Sequence, residues 1–396
     1  MVEIEFSVME FTQGFSDHLL PLLEAFEKQY SIHVNLVGIP WDKGWTEIAK
    51  FGIYGHGPDV SSIGTTWVGS LASMHALRAF DAADLRALGG TDAFFDVCWQ
   101  TGFLPDNPTT PWAIPWLADV MVIYYWKDAL EKSGILDAPA AFESDEALIE
   151  TLGKLHKAGY AYPLALTTIP SPVILHEAAH WVWSAGGDFI SPDNRQAIFN
   201  QPAALAGFRN YFSLLPFLSP DSLGSGSRSN LFDTGEVAVH FAGPYNGTVR
   251  RIQNPEWGEH LGIAQAPRTG FVGGSSFVVW QSSRHQREAL ELVRFLSSQP
   301  LHIPISPHDQ ALPTRRAALD LPTAETDVFH HTFLQALQQG RSFPTLRLWG
   351  SVEEKLVFEI SNIWADLFAN PQQDLDACIL QHLDPLAQRL NVMLGN

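Results

Sequence analysis

Basic residues are scarce in this chain. Its 396 residues hold 24 Lys and Arg against 43 Asp and Glu, a formal net charge of −19. Nucleic acid and anionic membrane surfaces both require a stripe of Lys or Arg, so neither is an expected partner. A phosphorylated or polyanionic ligand is disfavoured for the same reason. Cysteine is nearly missing. Cys98 and Cys378 are the only two, too few for a disulfide framework, and both stand in apolar company that reads as buried free thiols. No apolar run approaches the roughly 20 residues of a membrane helix. No basic leader with an apolar core opens the chain, which enters a strand directly after Met1. That fits a cytosolic protein or one whose leader was cut off, and composition does not choose between them. No phosphate-binding loop, no G-x-G-x-x-G turn and no G-x-S-x-G elbow occurs. Spacing alone does not exclude the paired carboxylates of a glycosidase. A hydrolase of this length would, however, be expected to carry more strands and more acidic residues at strand ends.

The hydrophobic share is 46% and the charged share 17%, the composition of a globular chain. The length suits two lobes of ordinary domain size. Thirteen tryptophans stand out. An aromatic excess serves either a large core or a site that stacks on flat apolar faces, such as those of sugar rings.

The first third reads strand, helix, strand, helix, strand. Residues 3–9 alternate. Leu19, Leu22, Leu23 and Phe26 have helical spacing behind a cap at Ser16 or Asp17. Residues 32–37 and 59–63 are strands, and 43–53 and 67–74 are helices. Short connections imply a parallel α/β sheet, whose ligands sit beyond the carboxyl ends of its strands. Those ends fall at residues 9–13, 39–41 and 64–67. Further on, 112–116 is extended, 120–126 is a strong strand, and 146–158 and 174–185 are helical. A Gly/Ser-rich loop occupies 223–227. Strands at 237–242 and 277–280, a helix at 288–297 and helices at 352–368 and 375–394 complete the chain. No repeat is visible.

The sharpest short motif is His176-Glu177-Ala178-Ala179-His180, an H-E-x-x-H pattern. On a helix its two histidines share a face able to hold Zn²⁺, with the glutamate activating water. A third ligand is needed. The long form of the motif wants Gly and His where this chain has Trp183 and Gly186. No Glu occurs between Glu177 and Glu236, which leaves Asp188 as a weak substitute. The rival reading is a polar helix face lining a cleft.

Seven segments, in order along nearly the whole chain, resemble family 1 solute-binding proteins of ABC importers. They are Phe26-Glu27 with Tyr30-Ser31-Ile32-His33-Val34; Gly57-Pro58-Asp59-Val60; Leu77-Arg78-Ala79-Phe80-Asp81; and Ile114-Pro115-Trp116 with Ile123-Tyr124-Tyr125-Trp126-Lys127-Asp128. The others are Phe232-Asp233-Thr234-Gly235-Glu236-Val237-Ala238-Val239 with Gly243-Pro244-Tyr245; Gly273-Gly274-Ser275-Ser276; and Ala311-Leu312-Pro313-Thr314-Arg315. Departures are the missing Gly and Pro around Leu77, and Trp126 where relatives carry Asn.

The resemblance implies an α/β periplasmic-binding-protein-like fold. Two α/β lobes are joined by crossing hinge strands, with a ligand cleft between them that closes like a hinge. Crossings are expected near Ile114, Ala266 and Pro313, so residues 1–113 with 267–313 form one lobe and 114–266 with 314–396 the other. It further implies an extracytoplasmic protein, periplasmic or lipid-anchored at the cell surface. Such a protein is a monomer that catalyses nothing and needs no cofactor or metal. Its partners are a carbohydrate, of several units if the tryptophans are stacking platforms, and a membrane permease. By matched position, Asp119 is the sugar-binding carboxylate, and Tyr245 and Trp349 are stacking aromatics. By strand-end position, Glu10, Gln13, Trp41, Thr66 and Trp67 join them. Trp116 either stacks or packs. His176, Glu177 and His180 face a hinge or cleft, and Ser275 and Arg347 are polar contacts. Trp99, Trp126 and Trp364 belong to core or surface. Two alternatives stay open: the same fold holding a polyamine, which suits the acidity, and a zinc metalloprotease built on the motif at 176–180.

Overall fold

The computed structural model describes residues 2–10, 14–223, 228–247, 249–298, 312–320 and 326–395. Gln13, Ala311 and most of the Gly/Ser-rich loop lie outside them. The chain divides into two compact units: residues 1–119 with 272–338 and 342–350, and residues 120–271 with 339–341 and 351–396.

The first unit is built on a six-stranded sheet. Its strands are β1 (Val2–Glu10), β2 (Ile32–Pro40), β3 (Val60–Gly64), β6 (Ile114–Val120), β11 (Val272–Val279) and β12 (Leu312–Pro313), in the order β12-β6-β11-β3-β1-β2. β2, β1 and β3 run parallel; β11 lies antiparallel to β3 and β12 antiparallel to β6. The inner strands are covered on both faces, so β3, β6 and β11 bury nearly every side chain, whereas the edge strand β2 leaves about half of its residues exposed. Phe6, Val8, Trp116 and Phe277 pack on one face. Met9, Ile63, Val278 and Trp280 pack on the other. The helix Phe15–Tyr30 buries Phe15, Leu19, Leu23 and Phe26, a four-residue stripe that fits it to the sheet. A hairpin of β4 (Phe103–Leu104) and β5 (Asn107–Pro111) completes the strands of this unit.

Gly274 in the Gly-Gly pair at 273–274 has a steric cause. Gly274 has φ +125°, and a Cβ there would lie 2.1 Å from the Leu117 carbonyl oxygen. Only glycine lets the backbone of β11 pass β6 so closely.

The second unit carries a four-stranded sheet, order β10-β7-β9-β8, from β7 (Val122–Trp126), β8 (Leu164–Ala165), β9 (Val239–Ala242) and β10 (Leu261–Gln265). Its longest helices are Asp145–Lys157, Pro172–Ser184, Pro202–Phe212, Trp349–Ala369 and Leu375–Leu394.

The expected lobe boundaries differ from these units in three places: residues 114–119 group with the first unit, residues 267–271 with the second, and the late segment also changes sides. Residues 314–338 and 342–350, assigned by resemblance to the second lobe, group with the first unit. Their side chains are tied there. Thr314 Oγ1 donates to Trp116 O at 3.1 Å. Arg315 donates to Leu88 O at 3.0 Å and to Ser297 O, with its guanidinium 4.7 Å from the Phe94 ring. Thr345 Oγ1 donates to Thr101 O at 3.4 Å.

Candidate functional site

In the first unit the carboxyl ends of β1, β2 and β3 bring indoles together. Trp41 opens the helix Trp41–Tyr54 directly after β2, and Trp45 follows one turn later. Trp67 closes the 3-10 turn Thr65–Trp67 after β3, with Thr66 beside it. The Trp67 ring lies 5.4 Å from Trp41 and 5.9 Å from Trp45, at interplanar angles of 53° and 50°. All three indoles are partly exposed, with their inner edges packed on the core. Glycine makes room for them. A Cβ at Gly44 would lie 2.8 Å from Trp67 Cη2, and one at Gly64 would lie 3.3 Å from both Trp41 and Trp67.

Glu10 ends β1, partly buried. Its carboxylate lies over Gly38 of β2, where a Cβ would come within 2.2 Å of Oε1. Its Oε2 accepts from Ser16 N at 3.2 Å. Glu10 therefore caps the helix that follows β1, at the helix end where a carboxylate is electrostatically favoured. Asp119 is partly exposed at the end of β6. Residues 347–350 reach the same cluster: Ser70 Oγ donates to Arg347 O at 3.0 Å, and a Cβ at Gly350 would stand 3.8 Å from Trp45.

Several predicted residues pack in the core, pair with other groups or lie outside the described residues. Trp116 is fully buried, stacked on Phe277 at 4.5 Å and flanked by Phe6 and Phe15. The alternation of β6 turns it into the sheet core, so it packs. Trp349 is fully buried and stacks on Phe343 at 4.7 Å, and packing in this core takes the ring face that was expected to meet a ligand. Ser275 is fully buried in β11 opposite Gly64. Arg347 is exposed, with its guanidinium 2.7 Å from Asp106. Gln13 lies outside the described residues. Trp45 was missed. Its signal was the four-residue spacing from Trp41, which puts both rings on one helix face.

In the second unit, Tyr245 sits partly exposed in the turn after β9, and Tyr124 Oη donates to the neighbouring Gly243 carbonyl at 2.9 Å. The H-E-x-x-H residues do form one helix, Pro172–Ser184, but its chemistry is spent internally. Glu177 is 1% exposed and accepts from Thr167 N at 2.8 and 3.1 Å and from Thr167 Oγ1 at 3.0 Å. His180 is fully buried between Thr269 O at 3.2 Å and Asp145 Oδ1 at 3.0 Å. The His176 ring stacks on Phe271 at 3.8 Å, and burial pushes the imidazole down to about 3. The helix gathers no three-ligand set among the described residues. The metalloprotease reading fails here, because a water-activating glutamate must face open space and Glu177 faces a backbone amide. Glu177 and His180 are not cleft-facing either.

This geometry can be set beside known proteins. The sequence profile of the bacterial extracellular solute-binding proteins matches residues 15–300. The chain belongs to that family. A binding protein of Brucella abortus is 24% identical over 366 residues, covering 89% of this chain and 86% of its own length. An ABC transporter-binding protein of Deinococcus radiodurans is 22% identical over 321 residues, covering 75% and 72%. Among solved structures, the sugar-binding protein MalE of Xanthomonas citri superposes with a TM-score of 0.84 at 20% identity, over 100% of this chain and 98% of that one. The fold is thus the periplasmic-binding-protein fold, and by family the chain is a solute-binding protein. Both family and fold are those of binding proteins rather than enzymes. No described helix of this solute-binding protein is long and apolar enough to cross a membrane.

Proposed function

We propose that this solute-binding protein captures a carbohydrate by lobe closure and delivers it to the permease of an ABC importer outside the cytoplasm. One observation carries the reading: three partly exposed indoles, Trp41, Trp45 and Trp67, clustered at the carboxyl ends of parallel strands. Strand ends are where such sheets hold ligands. Indole faces match the C–H faces of sugar rings, while Glu10, Thr66 and Asp119 supply polar partners for hydroxyls. Adjacent indoles suit more than one sugar ring, so an oligosaccharide is favoured. The sugar-binding activity named for the Xanthomonas relative supports the same class.

A polyamine is the second reading. The net charge of −19 favours it, and indoles also hold cations over their faces. A thermal-shift screen with mono- and oligosaccharides and polyamines decides between them, because a ligand of the folded state raises Tm with the logarithm of its excess over Kd. Carbohydrate binding predicts a rise with one saccharide group and quenching or shift of tryptophan fluorescence. A rise with polyamines alone overturns the carbohydrate reading.

A further inference from the structure

A second cluster of chemistry-bearing side chains lies in the second unit, on the two long helices Trp349–Ala369 and Leu375–Leu394. Asp366, Cys378 and His382 each turn one ligand atom to a common point, all within 4.8 Å of one another. Cys378 and His382 are four residues apart on one helix, which places both on the same face. Asp366 comes from the helix before it, with Oδ2 3.0 Å from His382 Nε2. Two ligands of a tetrahedral zinc, each roughly 2 Å from the ion, stand about 3.3 Å apart. The Asp366–His382 separation is already close to that edge.

The other ring nitrogen makes the arrangement more than a surface ion pair. His382 Nδ1 lies 3.0 Å from Glu359 Oε2, and the second Glu359 oxygen is held by Arg389 at 3.3 Å. A carboxylate that takes the Nδ1 proton fixes the tautomer and aims the Nε2 lone pair outward. That is the arrangement found behind metal-bound histidines. The three donors also differ in kind: a thiol, an imidazole and a carboxylate. This mixed set suits zinc or another borderline divalent ion better than magnesium or calcium, which take oxygen alone. The Cys378 thiol is buried, the His382 side chain is 14% exposed and the Asp366 side chain is 50% exposed. An ion would therefore have a route in from solvent and a sheltered sulfur on its far side.

We propose that Asp366, Cys378 and His382 form a divalent transition-metal site, with His382 oriented by Glu359 and water completing a tetrahedron. On binding, the ion replaces the proton between His382 Nε2 and Asp366, and the Cys378 thiol loses its proton to solvent as the metal–sulfur bond forms. Oxidation states do not change. The site lies on the second unit alone, joins two consecutive helices and is independent of the solute proposed above.

Cobalt(II) titration of the chelator-treated full chain tests it. The expected result is one ion per chain, with the near-ultraviolet charge-transfer absorption of a cobalt–thiolate bond and the intense visible bands of tetrahedral cobalt, both abolished by added zinc. Cys378→Ser removes the charge-transfer band, and Cys98→Ser leaves it. Glu359→Gln weakens binding roughly 10- to 100-fold by removing the orienting carboxylate. Asp366→Ser, a change at an exposed position, weakens cobalt binding while circular dichroism stays native. That variant keeps the test open should Cys378→Ser misfold. Absence of the charge-transfer band in the parent protein, or its survival in folded Cys378→Ser, overturns the proposal. Native affinity in Asp366→Ser does the same.

Discussion

The strand ends of the first unit and the helix Pro172–Ser184 of the second both gather aromatic and polar side chains, and they use them in opposite ways. Trp41, Trp45 and Trp67 pack one edge on the core and leave part of each ring open. On the helix, Glu177 and His180 are enclosed, and their polar atoms are answered by Thr167, Asp145 and Thr269 of the same unit. Residue type does not separate the two regions. What separates them is whether a polar or aromatic surface has found its partner inside the fold. A buried carboxylate with three hydrogen bonds stabilises a structure, whereas an indole with an open face has free energy left to give to a ligand.

Substitutions should split along that line. The largest effect is expected at Trp116, whose indole is fully enclosed by Phe6, Phe15 and Phe277. Trp116→Ala should cost about 4 kcal/mol of stability in urea denaturation through the cavity it leaves. Next comes Glu177→Ala, which strands the amide and hydroxyl of Thr167. It should lower stability by about 2–3 kcal/mol, with the affinity for any solute nearly unchanged among molecules that stay folded. If Glu177→Ala instead abolished binding in a stable protein, the helix would be a functional face and the contrast would break.

Trp67→Ala should behave the other way. It removes the ring that touches both neighbours, and calorimetry with the solute found by screening should show roughly tenfold weaker binding, about 1.4 kcal/mol. Its melting temperature should fall much less than that of Trp116→Ala, and Trp45→Ala should follow the same pattern with a smaller loss. A drop in stability with unchanged affinity would return the cluster to the core.

The smallest effect concerns pH. Burial lowers the His176 pKa from 6.5 to about 3 in the folded protein. The unfolded chain takes up a proton below about pH 6.5 and the folded chain does not until near 3. Stability from this residue is therefore complete above pH 6.5 and declines as pH falls through that window. Between pH 7 and 6 the loss should stay under about 1 kcal/mol, and His176→Phe should flatten that part of the stability curve.

Much of the first unit was legible in sequence because parallel strands announce themselves by apolar runs between helical repeats. The alternation of residues 3–9 became β1, and the spacing of Leu19, Leu23 and Phe26 became the buried stripe of the next helix. Gly273-Gly274 stood out only as a motif, and its close passage by Leu117 of β6 came from the structure. The late segment was harder. Residues 314–338 and 342–350 carry no local sign of which unit they join, since that depends on contacts made across more than 200 residues, such as Arg315 with Leu88 and Thr345 with Thr101.

The sequence by itself determined the class of fold, the family and the location of aromatic residues at strand ends, because those rest on periodicity and on short motifs in order. Only the tertiary structure decided which tryptophans keep an open face. Trp67 and Trp116 have the same side chain, and each stands on or just after a strand of the same sheet. One lies past the end of its strand, where the chain turns and glycines at 44 and 64 leave space. The other lies mid-strand, where alternation drives it into the core. The same holds for His176-Glu177-Ala178-Ala179-His180. Its spacing fixes which residues share a helix face, but Thr167, Asp145, Thr269 and Phe271, brought to that face by other parts of the chain, decide that it packs.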